Sequence, residues 1–122
     1  MTRQFFLRYW LPVLAYSLLI FVLSGMSRPP LPAGVQGNIL HYPEFALLAF
    51  LLARAFHGER TGPPLPKHIL WTFVLAVAFG ATDEFHQAFV PDRVPDVRDW
   101  LNDGIGSAAG LLLWGAWRWI RR

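Results

Sequence analysis

Between Phe79 and Gly110 the sequence FGATDEFHQAFVPDRVPDVRDWLNDGIGSAAG concentrates groups able to move protons or hold charge: Asp83, Glu84, His86, Gln87, Arg93 and Asp99. A second, smaller group, His41 and Glu44, stands three residues apart in ILHYPEF, so the two share one face if that stretch is helical. Close carboxylates in a low dielectric share a proton and serve as acid and base, which makes Glu44 and Glu84 the candidates for proton transfer. Arg93, flanked by Pro91 and Pro95, is suited to bidentate capture of an anionic head group, with Asp96 or Asp99 as its structural alternative. His41, Glu44, Glu84 and His86 carry the N and O donors of a metal site, but no HExxH spacing accompanies them, and the expectation is no metal and no cofactor. There is no GxSxG elbow, no phosphate-binding loop and no Cys, so covalent and nucleotide chemistry find no support.

The elements that must carry these residues are apolar. Hydrophobic residues make up 54% of the 122 positions, more than a water-soluble core of that size needs, and the length suits one domain over 1–122. Four runs each approach the roughly 20 residues that cross a bilayer core of about 30 Å. They predict helices over about 5–25, 39–56, 69–87 and 99–120, hence an all-α, multi-pass bundle of four transmembrane helices. The first run is long for a signal-peptide core and ends in SGMSRPP rather than a small-residue cleavage pattern, so it is read as a helix of the bundle. The net charge of +3 is small and no basic stripe is present, which argues against a nucleic-acid partner.

Pro12 falls near the start of the first helix and Pro43 in the first turns of the second, where a missing backbone donor costs least. Trp71 is expected as an interfacial anchor, and Trp114, Trp117 and Trp119 with Arg118, Arg121 and Arg122 as an aromatic and basic belt at the exit of the last helix. Gly106 and Gly110, four apart, make a small face for close helix packing. Eight of the 11 basic residues fall at the termini and in the 54–67 region, which places both termini in the cytoplasm and the two polar groups on the external side. On the third helix Asp83, Glu84 and Gln87 are expected to face the bundle and His86 to face outward. One cavity is expected to collect His41, Glu44, Asp83, Glu84, Gln87, Arg93 and Asp99, with Arg93 paired to an acid.

These residues carry a family likeness. NILHYPEFALLAFLLARAF resembles the first signature of the VanZ-like membrane proteins, and TDEFHQAFVPDRVPDVRDWLNDGIGSAAG resembles the second, more specific one. The likeness covers nearly the whole chain and maps onto His41, Asp83, Glu84, Gln87, Pro91, Arg93, Asp99, Asp103, Gly106 and Gly110. Asn38 stands where that family often has Lys, Phe45 where it often has Tyr, and Asp92 where Gly is common. The resemblance implies a small multi-pass protein of the bacterial cytoplasmic membrane, from a family whose namesake is associated with resistance to the glycopeptide teicoplanin. Two classes of function follow. One is a membrane protein whose external cluster binds a lipid head group, a lipid-linked cell-wall precursor or a glycopeptide. The other is a membrane-embedded enzyme using Glu84 or Glu44 on a lipid substrate.

Overall fold

A computed structural model describes residues 1–121; Arg122, placed in the C-terminal belt above, lies outside the described residues. Four helices make up the chain: α1 (Arg3–Ser24), α2 (Gly37–His57), α3 (Pro66–Gln87) and α4 (Val97–Ile120). No strand occurs among the described residues.

Local chemistry sets the helix limits. Thr2 caps α1, its Oγ1 accepting the Phe5 amide at 3.1 Å. Pro66 opens α3 at a position that needs no donor. Gly58, with φ of 59°, closes α2 in a conformation that favours glycine, and a Cβ there would come within 2.8 Å of the Phe5 ring. Asp96 caps α4 through its Oδ1, which accepts the Arg98 amide at 2.9 Å, and Asp99 follows in the first turn where the helix dipole favours an anion.

Pro12 shapes the lower half of α1. A proline cannot donate to the carbonyl four residues back, and its ring crowds that carbonyl. The turn ahead of it, Phe6–Trp10, widens into a π-helix. The carbonyl that Pro12 leaves free is that of Arg8, and Arg54 Nη1 on α2 donates to it at 2.9 Å. The Arg54 guanidinium also lies over the Tyr9 ring, 4.8 Å from its centroid. A proline-induced vacancy in one helix is thus filled by a side chain from the next.

The principal contact in the molecule is between α2 and α4, and it is made of backbone. A Cβ built on Gly106 would collide with the carbonyl oxygen of Tyr42, and one built on Gly110 with that of Ala46. Two glycines four apart therefore seat on two α2 positions four apart, which is how small residues let membrane helices approach. Phe45, Leu48, Ala49 and Leu52 of α2, Ala76 of α3, and Tyr9, Val13 and Ile20 of α1 form the buried apolar cluster beside that seam. Both termini and the α2–α3 loop lie at one end. Phe5 meets Gly58 there, and Arg118 Nη2 donates to the Gly62 carbonyl at 2.9 Å. The α1–α2 and α3–α4 loops lie at the other end.

By length and hydropathy α1 and α2 qualify as membrane-crossing helices. The helices α3 and α4, with 22 and 24 residues, are long enough but less apolar, because they carry Asp83 and Glu84, and Arg98, Asp99 and Asp103. The expected exit belt is also smaller than the sequence implied. Trp114 is buried, its ring packed edge-on to His57 at 5.4 Å with the Arg118 guanidinium above it, whereas Trp117 and Trp119 are exposed.

Replacing Arg54 by Ala strands the Arg8 carbonyl and should cost about 1–3 kcal/mol of stability in detergent unfolding. In a Pro12→Ala background, where residue 12 again donates to that carbonyl, the same replacement should cost about 1 kcal/mol less. Equal losses in both backgrounds would show that Arg54 acts through Tyr9 alone.

Candidate functional site

His41 is the hub of the polar end. It sits in the second turn of α2, and its Nδ1–H donates to Asp103 Oδ1 on α4 at 2.6 Å. The short distance marks a charge-assisted bond. Nε2 faces Asp99 Oδ2, one turn earlier on α4, at 3.6 Å, and in the neutral ring that donates from Nδ1 it carries the lone pair. Asp103 is 1% exposed and is enclosed from the side by Gly80 of α3, where a Cβ would lie 2.7 Å from Asp103 Oδ2. Tyr42 donates to Asn102 Oδ1 at 2.8 Å, a second bond across the α2–α4 seam beside the His41 contact, while Ser107 donates within α4 to the Asp103 carbonyl at 2.7 Å.

The last turns of α3 bring three polar side chains inward. Asp83, Glu84 and Gln87 are all buried. Gln87 Nε2 donates to Asp83 Oδ2 at 3.2 Å. Glu84 Oε2 accepts the amide of Asp96 at 3.1 Å, across the α3–α4 loop, while its Oε1 has no hydrogen-bond partner. Donors on His41, Glu84 and Asp99, one from each of three helices, lie within 4.8 Å of one another.

A cavity of about 520 Å³ opens at this end. His41, Glu44, Asp83, Gln87, Arg93 and Asp99 line it, together with Ser24 and Arg28 of the α1 end. Leu23, Leu31, Leu40 and Val94 add apolar surface to the lining. Glu84 and Asp103 do not line it; they stand behind His41 and Asp99.

Three expectations need correction. His86 does not face outward: its ring stacks on Phe21 of α1, 4.1 Å between centroids at 11°, and it is half-buried. It joins neither His41 nor the acids, so the donor set His41, Glu44, Glu84 and His86 is not assembled. The set that does meet replaces Glu44 and His86 with Asp99. Arg93 was expected to pair with an acid, but among the described residues no carboxylate lies within ion-pair distance of it. The nearby acids are engaged elsewhere: Asp99 faces His41 and Asp96 caps α4. Arg93 is instead aimed by backbone. Asp92 holds φ of 62°, and the Arg93 amide donates to the Val90 carbonyl at 3.2 Å to close the turn. A positive φ is a glycine-type conformation, which accounts for the Gly common at that position in the VanZ-like pattern. Phe45, where Tyr is frequent, is 1% exposed and packs on Phe79.

Sequence reading passed over Gly80 and Ser107. Gly80 lies three residues before Asp83 in an otherwise bulky apolar run, and a glycine that interrupts such a helix face is the signal that could have revealed it. Gly80→Ala gains about 1 kcal/mol of helix propensity but forces Asp103 off its bond to His41, an overpacking cost of about 1–3 kcal/mol. The variant should therefore melt earlier than the parent in detergent. An unchanged or raised midpoint would mean that Asp103 moves aside freely.

The chain matches the family model described as VanZ/LLP1 over residues 4–118. Comparison with curated proteins and with solved structures returned no match. Since the matched segment takes in all four helices and every residue of the polar end, the chain belongs to the VanZ/LLP1 family.

Proposed function

We propose that this is a multi-pass membrane protein with both termini in the cytoplasm, and that its external cavity binds the anionic head group of a lipid or lipid-linked cell-wall precursor. The distribution of polarity supports insertion of all four helices. Asp83, Glu84, Gln87, Asp103, Ser107 and Thr72 are buried, while Leu18, Leu70, Leu112 and Ile120 are exposed by 60% or more. That arrangement suits hydrocarbon outside and polar contacts within. At about 1.5 Å per residue, even α2 reaches about 30 Å, enough for the bilayer core. The end holding both termini also holds most of the basic residues, which favours its cytoplasmic placement.

One observation carries the binding assignment: Arg28 and Arg93, neither in an ion pair among the described residues, line a cavity whose lining is otherwise both polar and apolar. A guanidinium free of carboxylates is suited to phosphate, and leucines in the lining suit the first carbons of a lipid tail. Recognition of teicoplanin rests on family likeness alone. The His41–Asp103 pair favours a second reading, a lipid-modifying enzyme in which His41 or Glu44 moves a proton at the cavity wall.

A reporter active only outside the cytoplasm, fused after the C-terminus, should stay inactive and become active when fused in the α3–α4 loop. The opposite pattern would reverse the orientation and place the cavity in the cytoplasm. The purified chain in nanodiscs should bind a polyprenyl phosphate more tightly than the matching alcohol, and Arg93→Ala should weaken phosphate binding by about 10–100-fold. Equal affinity for phosphate and alcohol would reject a head-group site. Turnover of the phosphate, lost in Glu44→Gln, would select the enzymatic reading.

A further inference from the structure

We propose that His41, Glu84 and Asp99 form a binding site for one divalent transition-metal ion, clamping α2, α3 and α4 at the base of the cavity. The donors lie within 4.8 Å of one another. The spacing of one pair is informative. His41 Nε2 and Asp99 Oδ2 are 3.6 Å apart, long for a hydrogen bond but close to the separation of two ligands that share an ion at about 2.0–2.2 Å each.

Two further observations point to a missing cation. Glu84 is more than nine-tenths buried, one of its oxygens accepts the Asp96 amide, and the other has no partner at all. An acceptor oxygen held in place and left unsatisfied is costly unless something positive meets it. His41, for its part, is oriented as metal-bound imidazoles are. Its Nδ1–H is fixed by the Asp103 carboxylate at 2.6 Å, which leaves the Nε2 lone pair directed at the cluster. Each of these two donors thus has its own outer partner, Asp96 N–H for Glu84 and Asp103 for His41.

The local charge agrees. Glu44, Asp83, Glu84, Asp99 and Asp103 crowd this end, and no Lys or Arg pairs with any of them among the described residues. A dication offsets two of these carboxylates where isolated anions are expensive. The donor set selects the metal class. One imidazole with two carboxylates suits zinc or manganese better than magnesium or calcium, which favour oxygen alone. Three protein ligands also leave a coordination position, and His41 and Asp99 both line the cavity, so that position faces any head group held there.

The test uses the full chain, purified in detergent, stripped with a chelator and dialysed. Zinc and manganese are titrated separately, with magnesium as comparison, while bound metal is counted by elemental mass spectrometry and the melting temperature is followed. The expected result is one zinc or manganese per chain, a rise in melting temperature, and at least tenfold weaker binding in His41→Asn, Glu84→Gln and Asp99→Asn. Asp103→Asn should weaken binding by about 10–100-fold through His41. If the ligand variants do not fold, the parent loaded with zinc is examined by X-ray absorption. One imidazole nitrogen with oxygen ligands supports the site; two or more imidazoles place the ion elsewhere and overturn it. No saturable binding by the folded parent, or binding indifferent to the three substitutions, would also overturn it. None of these readouts involves lipid, so failure here leaves the head-group assignment standing, and failure of lipid binding leaves this one standing.

Discussion

The absence of two side chains governs the polar end. His41 reaches Asp103 only because α2 and α4 run in backbone contact, and they do so because Gly106 and Gly110 present nothing to the Tyr42 and Ala46 carbonyls. A methyl group at either position would wedge the helices apart by more than the tolerance of a 2.6 Å hydrogen bond. The same closeness brings Asp99 opposite His41 and lets Tyr42 reach Asn102. Gly80 repeats the device from the third side, giving Asp103 room between α3 and α4. Packing without side chains is what allows this many polar ones to converge.

That convergence separates two kinds of polar contact. Some are structural and complete: Arg54 on the Arg8 carbonyl, Trp100 on the Val77 carbonyl, Ser107 on the Asp103 carbonyl. They satisfy backbone where the helices meet and leave nothing over. Others are incomplete. Glu84, Asp83 and Asp103 each keep an unpartnered oxygen in a buried position. Buried acceptors are ordinarily satisfied; other polar atoms are left unpartnered elsewhere, but among the described residues the unpartnered buried carboxylate oxygens all lie at this end, around one histidine.

Much of this was legible in the sequence, and for definite reasons. The four apolar runs showed the helices, since nothing else accommodates that many consecutive large hydrophobic residues, and Gly58 and Asp96 marked ends by their own chemistry, whereas the start of α3 at Pro66, ahead of its apolar run at Ile69, was missed. The Gly106–Gly110 spacing pointed to a packing face, and spacing with topology brought His41 near the acids of α3 and α4. Asp103, by contrast, entered through family likeness; nothing in its immediate neighbours distinguishes it from a solvated acid. What the sequence hid are relations between helices at specific rotations. The stacking of His86 on Phe21, the inward turn of Trp114 and the Arg54 bond to Arg8 each depend on which faces of two helices meet. Hydropathy alone singles out only α1 and α2; in α3 and α4 it is lowered in part by Asp83, Glu84 and Asp103, which the bundle buries.

The turn at Asp92 bears on kinetics. Arg93 owes its direction to a backbone torsion whose strain is on the order of 1 kcal/mol, a cost carried by the folded chain at all times. A guanidinium positioned by a carboxylate would have to break that bridge before meeting a visiting anion, adding a barrier to every arrival. Here no bridge has to be broken. An anion meeting Arg93 would therefore displace no resident acid among the described residues, and its residence time would follow from its own contacts.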